Sequence, residues 1–138
     1  MSDTLKVCGL TIERGTKLRT YLPVPDTNVK IPLTIINGDQ DGPTLLITAG
    51  IHGGEYPGIA AAMELGRDIE PEHVAGCLIM MHPVNIQGFW ARREMIVPED
   101  GKNLNRVFPG DPMGTLADKT AYLISNNFFS IADFYVDM

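Results

Sequence analysis

Residues 44–59, Thr44-Leu45-Leu46-Ile47-Thr48-Ala49-Gly50-Ile51-His52-Gly53-Gly54-Glu55-Tyr56-Pro57-Gly58-Ile59, decide how the chain is read. Strand formers at Leu45–Ala49 lead into His52-Gly53-Gly54-Glu55, and Ile59-Ala60-Ala61-Ala62-Met63-Glu64-Leu65 continues with helical composition. Pro57 suits the first turn of that helix, where its missing N–H would have had no partner anyway. An imidazole and a carboxylate are thereby set at the carboxyl end of a strand, the place where open α/β sheets hold ligands. The two glycines remove bulk and permit a tight return, so both side chains can face one ion. His and Glu are both zinc ligands, and zinc with an open coordination position activates water. The competing reading is a surface turn whose Glu sits well with the dipole at a helix start. An isolated HxxE does not separate the two; its place after a strand favours metal.

Downstream, the helix is expected to run to about Arg67 or Ile69, before Glu70-Pro71. Gly76–His82 is continuously apolar, as in a strand buried on both faces of a parallel sheet. Strand, helix and strand make one right-handed βαβ unit. Upstream, strands are expected at Val7–Ile12, at Lys17–Val24 (broken by Pro23 and Pro25) and at Val29–Ile36. The turn chemistry of Asp41-Gly42-Pro43 suggests that Val29–Ile36 and Thr44–Ala49 form a hairpin-like pair. Residues 83–114 are rich in Pro and Gly and read as a long loop, a kind that is often functional. A helix is expected over Leu116–Phe128, and a strand over Asp133–Met138.

The chain has 138 residues, 44% hydrophobic and 20% charged, which fits one globular domain with a real core. Its formal net charge of -6 argues against nonspecific nucleic-acid binding and against an anionic membrane surface. Cys8 and Cys77 make no disulfide framework, the first residues show no signal-peptide pattern, and no apolar run reaches membrane-spanning length. These features predict a cytoplasmic protein.

The long loop carries further candidates. Asn105 and Arg106 present an amide beside a guanidinium, suited to a carboxylate; the alternative is an Asx turn with a surface salt bridge. Arg93, preferred over Arg92 although spacing does not decide between them, is a candidate to stabilise the oxyanion of a metal-polarised carbonyl. The alternative there is a solvated pair next to Glu94. His82, at the end of a strand, reads either as a metal ligand or, preferably, as a packed or partly exposed histidine beside the site, and His73 as a solvated linker residue. Asp137 reads either as a residue orienting a metal ligand or as a structural strand-end aspartate.

HGGEYPG after an apolar strand, the Asn85-to-Phe89 segment, an arginine, and DGKNLNRVFPG together resemble the succinylglutamate desuccinylase/aspartoacylase family, zinc deacylases related in fold to the zinc carboxypeptidases. The likeness runs from about Thr44 to the end. It implies an α/β/α sandwich around a mixed, mostly parallel sheet, with residues 1–42 as an N-terminal strand region and residues 43–138 as the N-terminal part of the catalytic domain. It also implies His52 and Glu55 as ligands of one zinc ion, Asn105 and Arg106 as the anchor for a substrate carboxylate, and Arg93 as the oxyanion-side arginine. The substrate implied is a small N-acyl amino acid whose amide, or ester, is cleaved. In the family a histidine after the last strand completes the zinc site, and a glutamate further downstream acts as general base. Neither has a counterpart here, so a C-terminally truncated deacylase with little or no activity is expected. An unpaired last strand would favour self-association. The reading of another class is a non-catalytic module that keeps the carboxylate pocket without the chemistry, or a folded remnant.

Overall fold

The computed structural model describes residues 4–138. The strands are β1 (Thr4–Val7), β2 (Leu10–Glu13), β3 (Thr16–Pro23), β4 (Lys30–Asn37), β5 (Gln40–Thr48), β6 (Ala75–Met81) and β7 (Phe134–Asp137); the helices are α1 (Tyr56–Asp68), α2 (Ile86–Trp90) and α3 (Leu116–Asn127). The expected single strand Val7–Ile12 is instead a hairpin. Cys8 (φ 50°) and Gly9 (φ 75°) both take left-handed backbone between Val7 and its partner Leu10. Two successive positive φ angles make a tight hairpin turn, and Cys-Gly lacks the Asn-Gly or Asp-Gly signature that would have announced it.

The centre of the sheet departs from the expected hairpin-like pair, its strand order being β3-β4-β6-β5-β7. β4 and β5 are consecutive in the chain but are not partners, because β6 lies between them. It pairs antiparallel with β4 (Leu33↔Met81) and parallel with β5 (Leu45↔Leu78). β6 is buried from Cys77 to Met81, and that apolar run needs a neighbour on each edge as well as cover on each face. A β4–β5 hairpin would have left it on a rim. β7 adds parallel to β5 and β3 antiparallel to β4, so the sheet is mixed.

Side chains alternate across this sheet. Leu33, Ile35, Leu46, Ile79 and Met81 face the larger core, with Ala117, Ala121, Ile124 and Phe128 of α3. Ile36, Ile47, Leu78 and Met80 face the other way with Ile69, and Ala49 packs with Ile59 and Ala62 of α1. The result is the expected α/β/α sandwich. Lys17 fixes the end of α1, its ammonium donating to the carbonyls of Gly66 (3.4 Å) and Arg67 (3.0 Å) and to Glu70 (2.8 Å). A cation there also suits the helix dipole.

The segment 83–114 is less loop-like than expected. It holds α2 and a 3-10 turn at Leu104–Arg106, and it is tied to α3. Asp100 accepts from the Thr115 hydroxyl (2.7 Å) and the Ala117 N–H (2.8 Å), and Lys102 pairs with Asp118. β7 forms an edge, with Phe134, Tyr135 and Val136 all exposed. Among the described residues no helix is long and apolar enough to cross a membrane.

Both cysteines are free; Cys8 is exposed, and burial pushes the Cys77 thiol up to about 12. The thiolate is the reactive form. One thiol per native chain should therefore react with a disulfide reagent at pH 8, and both should react in denaturant. Fast native labelling of Cys77 would contradict the packing of β6.

His82 is buried, as its sequence context suggests, with Nε2 2.9 Å from the Thr34 hydroxyl. Burial holds its pKa below the ordinary histidine value. The unfolded chain therefore binds this proton first as pH falls, and stability should drop from about pH 6.5 downward. Melting temperatures between pH 7.5 and 5, compared with those of His82→Gln, check this; the variant should show the shallower acid slope.

Candidate functional site

His52, Gly53, Gly54 and Glu55 join the end of β5 to the start of α1. The His52 side chain is half-buried and turns back on Glu55, with Nδ1 3.0 Å from Glu55 Oε1. Gly53 and Gly54 have specific reasons to lack a side chain. A Cβ on Gly53 would lie 2.4 Å from the backbone of Gly88 and Phe89, and one on Gly54 would lie 2.9 Å from Glu94. The strap of residues 88–94 therefore presses directly on the loop that carries the His–Glu pair. A backbone bond from Gly54 N–H to Glu94 O (3.2 Å) holds it there.

The second nitrogen of His52 defines the chemistry of the first. Asn103 Oδ1 accepts from the Asn105 N–H at 3.0 Å and lies 2.9 Å from His52 Nε2. An oxygen that accepts a backbone N–H faces Nε2 as an acceptor, so Nε2 carries the hydrogen. In the neutral ring Nδ1 then presents its lone pair to a carboxylate oxygen 3.0 Å away. Two acceptors at that separation repel unless a proton or a metal cation lies between them. Burial pulls the His52 pKa down, but the bonds to Asn103 and Glu55 and the charges of Glu55 and Asp137 outweigh it and leave it raised.

Asp137, on β7, stands on the same side. Its Oδ1 accepts from the Thr48 hydroxyl at 2.8 Å. Desolvation raises its pKa against the opposing pull of that hydrogen bond. The expected pair Asn105 and Arg106 is exposed, in the turn that begins next to Asn103, so the contact between Asn103 and His52 brings this turn to the His–Glu pair. Arg93 is exposed on the strap, its N–H bonded to Gly88 O (2.9 Å); Arg92 before it takes φ 54°. Among the described residues no hydrogen bond or ion pair links either arginine, or Arg106, to His52 or Glu55. His82 and His73 lie elsewhere, lining separate clefts beside Thr34 and beside Val74. Asn103 is absent from the candidates drawn from sequence. Its signal was present, an amide two residues before Asn105 in the same loop, but only the fold shows which of the two asparagines and the arginine turns inward.

His52 and Glu55 suit zinc by donor type and by convergence. Among the described residues no group of three or more His, Cys, Asp or Glu side chains gathers to hold a metal, so His52 and Glu55 stand as two candidate ligands where a catalytic zinc takes three.

A mixed sheet with helices on both faces and a His–Glu loop at its strand ends is a carboxypeptidase-like fold. Residues 41–138 match the succinylglutamate desuccinylase/aspartoacylase catalytic domain, and the chain belongs to that family. It is 38% identical over 125 residues to the N-alpha-acetyl-L-2,4-diaminobutyric acid deacetylase of Halomonas elongata, a match covering 86% of this chain and 36% of that enzyme. The product-bound ectoine utilization protein EutE (DoeB) of Ruegeria pomeroyi superimposes with a TM-score of 0.83 at 36% identity, over 91% of this chain and 40% of that one. The succinylglutamate desuccinylase/aspartoacylase of Rhodobacter sphaeroides gives a TM-score of 0.81 at 36% identity with the same coverage. The chain thus spans well under half the length of each relative.

Proposed function

We propose that this chain is the zinc-binding and carboxylate-anchoring portion of a deacylase that hydrolyses the amide of a small N-acyl amino acid. The observation that carries this reading is the pairing of a His52 lone pair with a Glu55 oxygen at 3.0 Å, the ring being oriented from behind by Asn103. Zinc bound there would polarise the acyl carbonyl and acidify water. Asn105 and Arg106 hold the substrate carboxylate, in keeping with the bidentate preference of guanidinium. Arg93 faces the oxyanion. The similarity to a diaminobutyrate deacetylase makes an N-acetylated diamino acid the first substrate to test. Two ligands instead of three leave this chain with weak zinc affinity and little hydrolysis by itself. Two free cysteines and the absence of a membrane-crossing helix among the described residues agree with a cytoplasmic setting.

Calorimetry tests the reading. Zinc should bind one to one, and N-acetyl-2,4-diaminobutyrate should bind the zinc-loaded chain but not its Arg106→Ala variant. Carboxylate binding without any zinc binding would support a non-catalytic module instead. Binding of neither would mark a remnant.

Asn103 provides a separate check. Residues that support a ligating histidine typically contribute roughly 10–100-fold to metal affinity. Asn103→Leu should weaken zinc by about that factor, while Asn103→Asp, which keeps an acceptor, should retain it.

A further inference from the structure

The strap over the His–Glu loop carries the carboxylate of Glu94. The Cα, Cβ and Cγ of Glu94 occupy the space a Gly54 side chain would fill, at 2.9–3.2 Å from that Cβ position. Glu94 is exposed, and among the described residues its carboxylate has neither a hydrogen bond nor an ion pair. Arg92 and Arg93 precede it without pairing to it. Phe89 and Trp90 of the same strap form an edge-to-face cluster with Tyr56 at the start of α1, with ring centroids 5.9 Å (Tyr56 to Phe89) and 5.2 Å (Phe89 to Trp90) apart and Trp90 75% exposed. A carboxylate without a partner attracts a cation, and exposed aromatic faces do so as well. Phe89, Trp90 and Glu94 lie on one strap that touches the two glycines between the proposed zinc ligands.

We propose that Glu94 is a specificity residue that receives the side-chain ammonium of a diamino acid, with the aromatic cluster as its apolar flank. The inference rests on the deacylase reading. That reading needs a carboxylate anchor and a metal pair; this one adds a charge that discriminates among the amino acids so anchored. A substrate with a neutral side chain would leave Glu94 in water and gain nothing from it.

The experiment compares 2,4-diaminobutyrate with norvaline, its uncharged isostere, by calorimetry on the zinc-loaded chain. Wild type should favour the diamino acid by roughly 2–10-fold, the range of a partly solvated ion pair. Glu94→Gln should abolish that preference while leaving norvaline affinity unchanged. Added salt should erode the preference in wild type, since exposed charges are screened, and not in the variant. A preference that survives Glu94→Gln, or equal binding of the two by wild type, overturns the role of Glu94. If both amino acids still lose binding in Arg106→Ala, the deacylase reading stands without it. Binding of neither by wild type overturns both.

Discussion

Replacing Phe128 by alanine should lower the unfolding free energy by about 3–5 kcal/mol, the range for removing a large aromatic ring from a packed core. Phe128 is fully buried in the main core just beyond α3. Its backbone also organises the turn toward β7: its N–H bonds to Ile124 O (3.0 Å), and its carbonyl accepts from Ile131 (3.2 Å) and Ala132 (3.1 Å). A cavity there loosens α3 against the sheet. It also loosens the loop that Asp100 and Lys102 fasten to α3. Domains of this size are stable by only about 5–15 kcal/mol, so the variant should stand near its unfolding threshold at 37 °C. Urea denaturation followed by far-UV circular dichroism measures the difference. A loss under about 1 kcal/mol would mean that the ring is not the keystone of this core.

The second large effect concerns zinc. His52→Ala removes the lone pair that faces Glu55, and binding should weaken beyond the roughly 100-fold that loss of a supporting hydrogen bond can reach. With two candidate ligands, removal of one leaves a single carboxylate and water. Glu55→Gln tests the other half of the pair, because an amide retains the shape of the side chain and surrenders its charge. Both positions lie in a connecting loop outside the two cores, so melting temperatures of the metal-free variants should stay close to wild type. Zinc affinity retained in both variants would remove the metal site from this location.

Much of this site was legible because it is local. His52 and Glu55 are three residues apart on one loop, and the preceding strand and following helix are marked by Leu45–Ala49 and Pro57. The βαβ unit was legible for the same reason. What the sequence concealed depends on distant chain. The partner of β4 is decided by β6, and residues 29–49 taken alone look like a hairpin. The turn at Cys8-Gly9 was hidden because cysteine rarely takes left-handed backbone. Asn103 was hidden because its inward direction follows from Asp100 and Lys102 being fixed to α3. The reason for Gly53 and Gly54 was seen only in part. The tight return was foreseen, but the pressure of the strap at 88–94 on both positions is a property of the assembled fold.

The place of β6 between two strands made well before it also bears on how the protein emerges from the ribosome. β4 and β5 leave the exit tunnel as neighbours in sequence, each with a bare hydrogen-bonding rim, and the strand that belongs between them follows only after all of α1. At translation speeds of about 5–20 residues per second, that interval is on the order of seconds, far longer than the microseconds a hairpin needs to close. Nascent chains thus have time to zip the wrong rims together.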